Sequence, residues 1–350
     1  MNQDKRDIRE LTKAEIFEYV IQNNLKNFRC NQIFEWIWKK GAHCFDEMTN
    51  IPLELRKTLA NDFFFPVIQV VSLSKSKDGT LKMLFELPDK NYVEGVIIPA
   101  NTRSTACIST QAGCPLNCSF CATGNMGFQR NLCVGEIFDQ FLLLNQYSVK
   151  ETGNALSNFV LMGMGEPLLN YENVVRALRM ITSSESLGIS PGRITLSTVG
   201  IVDKVKMLAE ENLSVRLAVS LHTANTAKRN RIIPANKKNN LPALAESLRY
   251  FYAKTSLRIT IEYLLLKDFN DSIKDADELL EFCKNFPCKI NLIEYNQTTH
   301  SEFEKSGQKT ILKFRDKLAG ANLPVNIRNS RGGDIDAGCG QLANKNKNKS

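Results

Sequence analysis

Three cysteines stand close together in the pattern C-x-x-x-C-x-x-C, at Cys114, Cys118 and Cys121. Short spacings of this kind let thiolates converge on one centre, so they favour a metal site over a disulfide framework in a chain this long. A structural zinc site normally has four protein ligands, and no fourth cysteine or histidine follows at the spacing of a zinc finger. Three ligands would leave one position of the metal centre open. A zinc site and a chance grouping of buried thiols stay open as alternatives.

Two further cysteines stand out. Cys107 lies seven residues before Cys114, and Cys339 lies between Gly338 and Gly340. The glycines around Cys339 permit several backbone conformations. A thiol that reacts first in one position and then in another would need such a flexible segment. Alternatively, Cys339 is a small buried thiol in a tight turn. The other five cysteines belong to no motif and are interpreted as core thiols: Cys30, Cys44, Cys133, Cys283 and Cys288.

The spacing of apolar residues predicts the elements that must position these cysteines. Residues 1–75 show helical spacing, which predicts a small helical accessory domain that could contact nucleic acid. A turn at Asp78-Gly79 separates two alternating stretches, and these predict a β-hairpin over 76–100 that links two domains. Residues 101–342 make the predicted core domain, and 343–350 a disordered basic tail.

Within the core, candidate strands alternate with amphipathic helices, and crossovers of helix length require a parallel sheet. The six candidate strands are 105–110, 158–165, 193–199, 215–221, 257–266 and 289–296. The six candidate helices are 134–147, 171–183, 201–211, 241–254, 272–285 and 307–319. The fold class is therefore α/β. The pattern alone does not separate part of a barrel from a flat doubly wound sheet.

Polar residues and glycines gather near the carboxyl ends of these candidate strands. Parallel β/α folds bind their ligands at that edge, so we predict one binding rim. Each residue also has an ordinary structural explanation, such as a backbone requirement for a glycine or a satisfied buried ring for a histidine. The candidates are Gly163, Gly165, Glu166, Ser197, Ser220, Leu221, His222 and Asn296.

Length and composition set the class of protein. The 350 residues are 43% hydrophobic, enough for one large core with a small appendage. Lys plus Arg number 45 and Asp plus Glu 37, so the net charge of +8 permits a polyanionic partner but also suits a merely soluble surface. Ten cysteines and a charged first segment without an apolar stretch predict a cytoplasmic protein. A membrane span needs a run of about 18 to 20 apolar residues, and the sequence contains no run of that length.

The cysteine triplet, with Phe120 directly before its last member, resembles the cluster motif of the radical S-adenosylmethionine superfamily. Further motifs in the same order are similar to those of the RlmN/Cfr family of RNA methyltransferases within it. They are CISTQAGCPLNCSFCATG, GFQRNL, MGMGEP, LSTVG, SLH and GGDIDAGCGQL. The likeness extends from about Glu94 to Leu342. It implies a partial (β/α)6 barrel, open on one side for a large substrate.

The resemblance also implies the cofactors. Cys114, Cys118 and Cys121 would hold a [4Fe-4S] cluster whose fourth iron binds S-adenosylmethionine. Two molecules of S-adenosylmethionine would serve each turnover. The first methylates Cys339, and the second yields a 5′-deoxyadenosyl radical that takes a hydrogen from the S-methyl group. The implied contacts of S-adenosylmethionine are Gly165, Glu166, Ser197, Ser220, Leu221, His222 and Asn296.

Carbon C2 of adenine is the target that the resemblance implies. That carbon lies between two ring nitrogens and is too electron-poor to attack a methyl group, so a carbon radical must add to it. Glu94 would remove the C2 proton. Cys107 would attack the Cys339 sulfur, and a transient disulfide would form as the methylated base leaves. The resemblance implies three partners: 23S rRNA, methylated at the peptidyl-transferase centre, tRNA, and an electron donor of the flavodoxin type. It also implies that the enzyme is a monomer.

RNA is expected to bind mainly through its phosphates, with the target base turned out of its stack. The candidate phosphate contacts, five of them in a predicted long basic loop, are Arg103, Arg130, Lys228, Arg229, Arg231, Lys237 and Lys238. Three other functions stay open at this point. They are methylation at adenine C8 as in Cfr, a non-catalytic RNA-binding protein with structural zinc, and a radical enzyme for a small molecule.

Overall fold

A computed structural model describes residues 5–100, 103–298 and 301–343. Its first elements are β1 (Arg6–Asp7), α1 (Lys13–Gln22), α2 (Phe28–Trp38), α3 (Leu53–Asp62) and β2 (Phe63–Phe64). Strands β1 and β2 pair in parallel and so join the two ends of the helical region. Helix α1 begins in a capping box, in which the side chains of Thr12 and Glu15 each accept the backbone N–H of the other residue.

The helical region packs on the core through only part of its predicted apolar surface. On α1, Ile16 and Val20 are buried, whereas Phe17 and Ile21 are exposed. The region is anchored by the fully buried Arg9. Its Nη1 lies 2.5 Å from Oδ1 of Asp139, and its Nη2 donates a hydrogen bond to the carbonyl oxygen of Ala42. A buried ion pair therefore joins the segment before α1 to the core.

The remaining strands and helices follow in chain order. The strands are β3 (Gln69–Lys75), β4 (Leu81–Glu86), β5 (Tyr92–Ala100), β6 (Arg103–Cys107), β7 (Gln111–Gly113), β8 (Phe128–Asn131), β9 (Asn158–Leu161), β10 (Ile194–Thr198), β11 (Arg216–Ser220), β12 (Ile259–Leu265), β13 (Cys288–Glu294) and β14 (Val325–Arg328). The helices are α4 (Ala122–Asn125), α5 (Val134–Thr152), α6 (Tyr171–Thr182), α7 (Val202–Glu210), α8 (Thr226–Ile232), α9 (Leu241–Thr255), α10 (Ile273–Cys283) and α11 (Gln308–Ala319).

Ten strands form one sheet in the order β14-β13-β12-β11-β10-β9-β6-β5-β4-β3. All neighbours from β6 to β14 are parallel, as the alternation of strands and helices predicted. Strands β3, β4 and β5 add an antiparallel extension. The predicted hairpin is present as β4 and β5, but β5 pairs with β6, where Val96 lies opposite Cys107. The hairpin therefore continues the core sheet.

The predicted α/β class with a partial barrel is confirmed, and all six candidate strands are present. Two of them end at least three residues earlier than predicted, at Cys107 and at Leu161. The chain turns sharply after the second, because Gly165 has a φ of +97°. Strand β14 is a seventh parallel strand that the sequence did not predict. The division of the chain into domains stays a prediction, and residues 344–350 of the predicted tail lie outside the described residues.

Candidate active site

The small hairpin of β7 and β8 holds the cysteine loop at its base. Gly113 ends β7 with a φ of +75°, and a Cβ there would lie 1.9 Å from the carbonyl oxygen of Gly127. The same carbonyl accepts the backbone N–H of Cys114 at 3.0 Å. Only glycine fits at 113, because any side chain would break this contact. The short strand β7, which the sequence did not predict, thus lies between the first candidate strand, 105–110, and the cysteine loop.

Cys114, Cys118 and Cys121 line one cavity of about 930 Å³, part of it open to solvent, which we call the cluster cavity. Burial raises the pKa of the Cys114 thiol to about 12 and that of Cys118 well above its usual range. A positive metal centre stabilises such thiols as thiolates. In the described ranges no three His, Cys, Asp or Glu side chains are grouped to share one metal ion. A [4Fe-4S] cluster suits these three thiols, because each would bind a different iron.

The opposite wall of the cluster cavity comes from the ends of the parallel strands. Glu166 is buried there, and its carboxylate accepts the backbone N–H groups of Leu168 at 3.0 Å and Val199 at 2.9 Å. Burial raises its pKa to about 7. Gly165 brings the backbone close to Gln111, since a Cβ at 165 would lie 2.5 Å from the Gln111 Cβ. The predicted rim residues that line this cavity are Gly163, Gly165, Glu166, Ser197, Ser220 and His222.

His222 lines the cluster cavity and also makes contacts that hold neighbouring segments together. Its Nδ1 accepts the backbone N–H of Leu264 at 3.1 Å, and its ring meets the ring of Phe120 edge to face at a centroid distance of 4.8 Å. Burial lowers the pKa of His222 to about 3, so the ring is neutral at physiological pH. The aromatic residue of the cysteine motif and a strand-end histidine therefore support each other.

Leu221 lies outside the lining of the cluster cavity. Its side chain is fully buried in the main core. Its backbone N–H donates to Val219 and Glu262 carbonyls, and its own carbonyl accepts Nε of Arg229 at 3.1 Å. The structure does not bring the side chain of this predicted contact residue to the cavity, because it packs in the main core just after β11 ends.

A second cavity of about 870 Å³ lies next to the first, and we call it the thiol cavity. It is lined by Cys107 and Cys339, two cysteines that are far apart in sequence. The two cavities share a wall. The residues that line both are Met162, Ile293, Cys339 and Leu342. Cys339 is thus the cysteine that faces both the cluster loop and Cys107.

Asn296 lines the thiol cavity, whereas the sequence-based assignment placed it against S-adenosylmethionine. Its Nδ2 donates to the Cys339 carbonyl oxygen at 3.4 Å, and its Oδ1 accepts the Ser330 hydroxyl. A Cβ at Gly338 would lie 2.5 Å from the Asn296 Nδ2. In this conformation Asn296 packs on a glycine and holds the segment that carries Cys339.

The same carboxy-terminal segment is bonded to the cysteine loop. The backbone N–H of Ala122 donates to the Gly340 carbonyl at 2.7 Å, and the Thr123 hydroxyl donates to the Leu342 carbonyl at 2.6 Å. Further back, Asp334 accepts the hydroxyl of Ser76 at 2.6 Å, from the turn between β3 and β4. The segment is therefore fixed at both ends, beside the three cysteines and on the antiparallel extension.

Glu94 lies on β5 and is 4% exposed, so it is not the solvated charge that a hairpin position suggests. Its Oε1 lies 3.2 Å from Nζ of Lys82, which also donates to the Asp336 carbonyl at 3.3 Å. Burial raises the pKa of Glu94, and the Lys82 charge opposes this shift. Glu94 is outside the lining of both cavities, in a buried position linked through Lys82 to the carboxy-terminal segment.

The prediction that Arg229 contacts RNA phosphate is wrong. Arg229 lies in α8 and not in a loop, and it is 0% exposed. Its guanidinium donates to Asn236 and to the Val199 carbonyl, as well as to Leu221, which compensates the burial of its charge. Through these hydrogen bonds Arg229 holds the backbone that follows β10 and β11 at the site.

The other basic candidates lie at or near the surface. Arg130 binds Asp89 and Glu136, and Arg231 pairs with Glu302 at 2.5 Å. The Arg231–Glu302 pair is exposed on both sides and can exchange for phosphate because water screens it, whereas Glu136, a partner of Arg130, is buried. The exposed members of the set are Arg103, Arg231, Lys237 and Lys238.

Sequence reasoning missed Arg328, which ends β14 and lines the thiol cavity. Its Nη1 lies 3.5 Å from Oε2 of Glu262 and 3.9 Å from Sδ of Met162. The alternation in VNIR and the glycine pair that follows were the only signals for this strand. Four residues at a sheet edge give a weak pattern, so the arginine had no predicted place at the rim.

The parallel sheet and the three-cysteine cavity at its carboxyl edge define a radical S-adenosylmethionine enzyme. A family model described as the radical SAM superfamily matches residues 108–283. A second, described as the ribosomal RNA large subunit methyltransferase N-terminal domain, matches residues 6–64. The cofactors of this enzyme are a [4Fe-4S] cluster and S-adenosylmethionine.

Relatives along nearly the whole chain narrow the class. A protein of Flavobacterium psychrophilum is 47% identical over 99% of both chains, and one of Thermotoga petrophila is 41% identical over 96% of this chain and 97% of its own. Both carry the name "Probable dual-specificity RNA methyltransferase RlmN". The crystal structure of a radical SAM methyltransferase from Sphaerobacter thermophilus has a TM-score of 0.90 at 37% identity, over 96% of this chain and 99% of that one. The chain belongs to the RlmN family of radical SAM RNA methyltransferases.

Among the described residues, no helix is both long enough and apolar enough to cross a membrane.

Proposed function

We propose that this enzyme methylates C2 of one adenine in 23S rRNA, at the peptidyl-transferase centre, and C2 of an adenine in the anticodon loop of some tRNAs. The observation that carries the proposal is the position of Cys339 in the wall between the cluster cavity and the thiol cavity. A thiol there can carry a methyl group beside the cluster and be attacked by Cys107 from the other side. The names of the relatives support RNA as the substrate class.

The cofactors have proposed positions within the cluster cavity. Three thiolates from the cysteine loop would bind the cluster. When bound, the cluster supplies the electron that cleaves S-adenosylmethionine and begins the radical chemistry. Two molecules of S-adenosylmethionine would be used per turnover. The proposed contacts of S-adenosylmethionine that line this cavity are Gly165, Glu166, Ser197, Ser220 and His222.

Cys339 would act first as a nucleophile and then as the carrier of a one-carbon group. Its thiol must lose a proton to take a methyl group. Cys339 is an exposed residue, yet the groups around its sulfur desolvate the thiol and raise its pKa, which the Arg328 charge opposes. Gly340 beside it has a φ of +81°, a conformation that lets the chain turn sharply at the carrier. The segment can therefore present its sulfur to different partners without moving the sheet.

Glu94 would remove the proton from C2 after the carbon has added. A buried carboxylate is a stronger base than a solvated one, and burial raises the pKa of Glu94 in that direction. Lys82 would hold the carboxylate ionised until the base arrives. Its proposed role requires the carboxy-terminal segment to move aside, since Glu94 is covered in the described conformation.

The proposed partners follow from this chemistry. A low-potential donor of the flavodoxin type would reduce the cluster, and the enzyme would act as a monomer. Ten cysteines are all free thiols, as a reducing cytoplasm permits. Exposed basic residues would hold RNA phosphates, with the target base turned out toward the thiol cavity.

Anaerobic reconstitution with iron and sulfide, followed by reaction with methyl-labelled S-adenosylmethionine, tests the proposal. Labelled 2-methyladenosine is expected from both 23S rRNA fragments and tRNA, as measured by mass spectrometry of nucleosides. Cys339→Ala should abolish the label, and Cys107→Ala should trap RNA covalently on the enzyme. Label in 8-methyladenosine would show the Cfr reaction instead, and label in neither RNA would overturn the proposal.

A further inference from the structure

The thiol cavity contains a positive charge, that of Arg328, to which the reaction outlined above gives no part in the resolution of the adduct. Arg328 ends β14, next to Ile293 of β13, and its side chain lines this cavity together with Cys107 and Cys339. Its side chain is 34% exposed, so the guanidinium lies at the mouth of a partly buried space. A charge in such a place acts on its neighbours more strongly than one on the open surface.

Arg328 is held so that part of its charge stays available. The ion pair with Glu262 is long, at 3.5 Å, and Nη1 of Arg328 also contacts the Met162 sulfur at 3.9 Å. Glu262 is only 3% exposed and is itself fixed by a hydrogen bond of 2.9 Å from Nδ2 of Asn291. Glu262 lines the cluster cavity whereas Arg328 lines the thiol cavity, so the pair spans the wall between them.

Cys107 lines the same cavity as Arg328. Burial raises the pKa of its thiol to about 12, and the neighbouring Cys339 thiol raises it further, while a backbone N–H from Met162 and the Arg328 guanidinium oppose these effects. A thiol of this kind attacks slowly, because only the thiolate is the nucleophile. Cys339, Arg328 and Glu262 lie in the walls of the two cavities. The charged and titratable groups on the elements packed against Cys107 are Tyr92 and Glu94 on β5, with Lys82 of β4 paired to Glu94, and Glu136, Asp139, Tyr147, Lys150 and Glu151 on α5.

We propose that Arg328 stabilises the Cys107 thiolate and so sets the rate at which the enzyme–RNA adduct is resolved. The inference rests on the proposed function. In the step concerned, the Cys107 thiolate attacks the Cys339 sulfur. The S–S bond forms as the bond from Cys339 sulfur to the methylene carbon breaks. The electron pair of that bond goes to the carbon, which takes a proton and becomes the methyl group of the base.

The test measures the fraction of RNA that stays covalently bound during turnover of the holoenzyme, between pH 7 and pH 10. Arg328→Gln is expected to accumulate adduct at pH 7 and to lose it as the pH rises, because Cys107 then ionises without help. Each unit by which the pKa of Cys107 rises should slow resolution about tenfold below that pKa. Arg328→Lys keeps the charge and should resolve the adduct faster than Arg328→Gln.

Two controls frame this measurement. Cys107→Ala should hold the adduct at every pH, since it has no thiol to ionise. Arg331→Gln removes an exposed arginine from the lining of the same cavity and should keep bound adduct low. The iron content of Arg328→Gln shows whether this variant still binds the cluster. If it does not, Arg328→Met replaces it in the test, because methionine keeps the apolar part of the side chain.

Each outcome decides the inference. Fast resolution by Arg328→Gln at pH 7, or adduct that persists at all pH values as in Cys107→Ala, would overturn it. A second readout needs no RNA: the rate at which glutathione disulfide oxidises Cys107 and Cys339 to their disulfide, which should fall about tenfold in Arg328→Gln at pH 7 and recover with pH. Absence of adduct in Cys107→Ala would instead contradict the proposed function.

Discussion

His222 shows how a single residue combines backbone and side-chain requirements. Its φ of +57° is left-handed, which few residues other than glycine and asparagine adopt readily. Its carbonyl accepts Nδ2 of Asn270 at 2.6 Å, and its ring nitrogen accepts a backbone N–H. Because the ring is buried and neutral, it adds no charge to the wall of the cluster cavity.

Replacement of His222 by asparagine should remove a source of acid sensitivity. The pKa of His222 is about 3 in the folded chain and 6.5 as its usual value. The unfolded chain therefore binds the proton first, and folding free energy is lost as the pH falls below 6.5, by about 1.4 kcal/mol per pH unit. Urea unfolding of the cluster-free protein at pH 7.5 and 5.5 should show this loss, and His222→Asn should show a smaller one.

Asparagine suits this test because it adopts the left-handed conformation and can accept the same backbone N–H. An equal response in His222→Asn and wild type would show that the burial of this ring is not what makes the fold acid-sensitive.

At the scale of elements, the β7–β8 hairpin is the part of the fold on which the cysteine loop depends. Gly113→Ala should distort it, because the new Cβ would overlap the Gly127 carbonyl oxygen. We expect a several-fold loss of iron bound after reconstitution, measured per folded protein. Gly153 has a similar φ of +72° at the end of α5, with nothing within 4 Å of its Cβ position.

Gly153→Ala is therefore the control for backbone strain without steric overlap. It should lower the free energy of unfolding by only about 1 kcal/mol and leave the amount of bound iron unchanged. Equal iron content in the two variants would mean that the hairpin does not determine the geometry of the cysteine loop.

Elements with a strong apolar period were predictable from the sequence, and weak or irregular ones were not. The parallel strands and their helices were found because burial on both faces gives long apolar runs. Helix α8 was read as a loop, since seven residues rich in charge show little period. Arg229 was misplaced for the same reason, because its burial depends on carbonyl groups from distant strand ends.

The site itself was predictable in type but not in arrangement. The spacing of Cys114, Cys118 and Cys121 predicted a shared metal site, and the three thiols do line one cavity. The two-sided position of Cys339 depends on contacts across the whole fold, which no local pattern contains. Asn296 was assigned by its position at a strand end, but the backbone that it contacts belongs to the carboxy-terminal segment.

At the scale of the whole molecule, the buried pair of Arg9 and Asp139 holds the amino-terminal region against the core. Removal of one partner leaves a buried charge without compensation, so Arg9→Met or Asp139→Leu should each cost about 3 to 5 kcal/mol. The double variant should be less destabilised than the sum, because it leaves no buried charge. The exposed pair of Arg6 and Glu15 is the control, with an expected loss of at most about 1 kcal/mol.

Denaturant titration of Arg9→Met, of Asp139→Leu, of their double variant and of a variant without the Arg6–Glu15 pair measures these differences in the free energy of unfolding. Additive losses from Arg9→Met and Asp139→Leu would contradict the idea that the two charges depend on each other.

The contact between the Thr123 hydroxyl and the Leu342 carbonyl joins residues 219 positions apart, and that between Ser76 and Asp334 spans 258 positions. Contacts this distant close large loops and form late in folding, after the helices and the parallel sheet. We expect Cys339 to reach its place beside the cysteine loop only at the end of folding. A nascent or half-folded chain would then keep the Cys339 sulfur, the proposed carrier of the methyl group, away from the proposed radical source, so that the topology would prevent premature self-reaction.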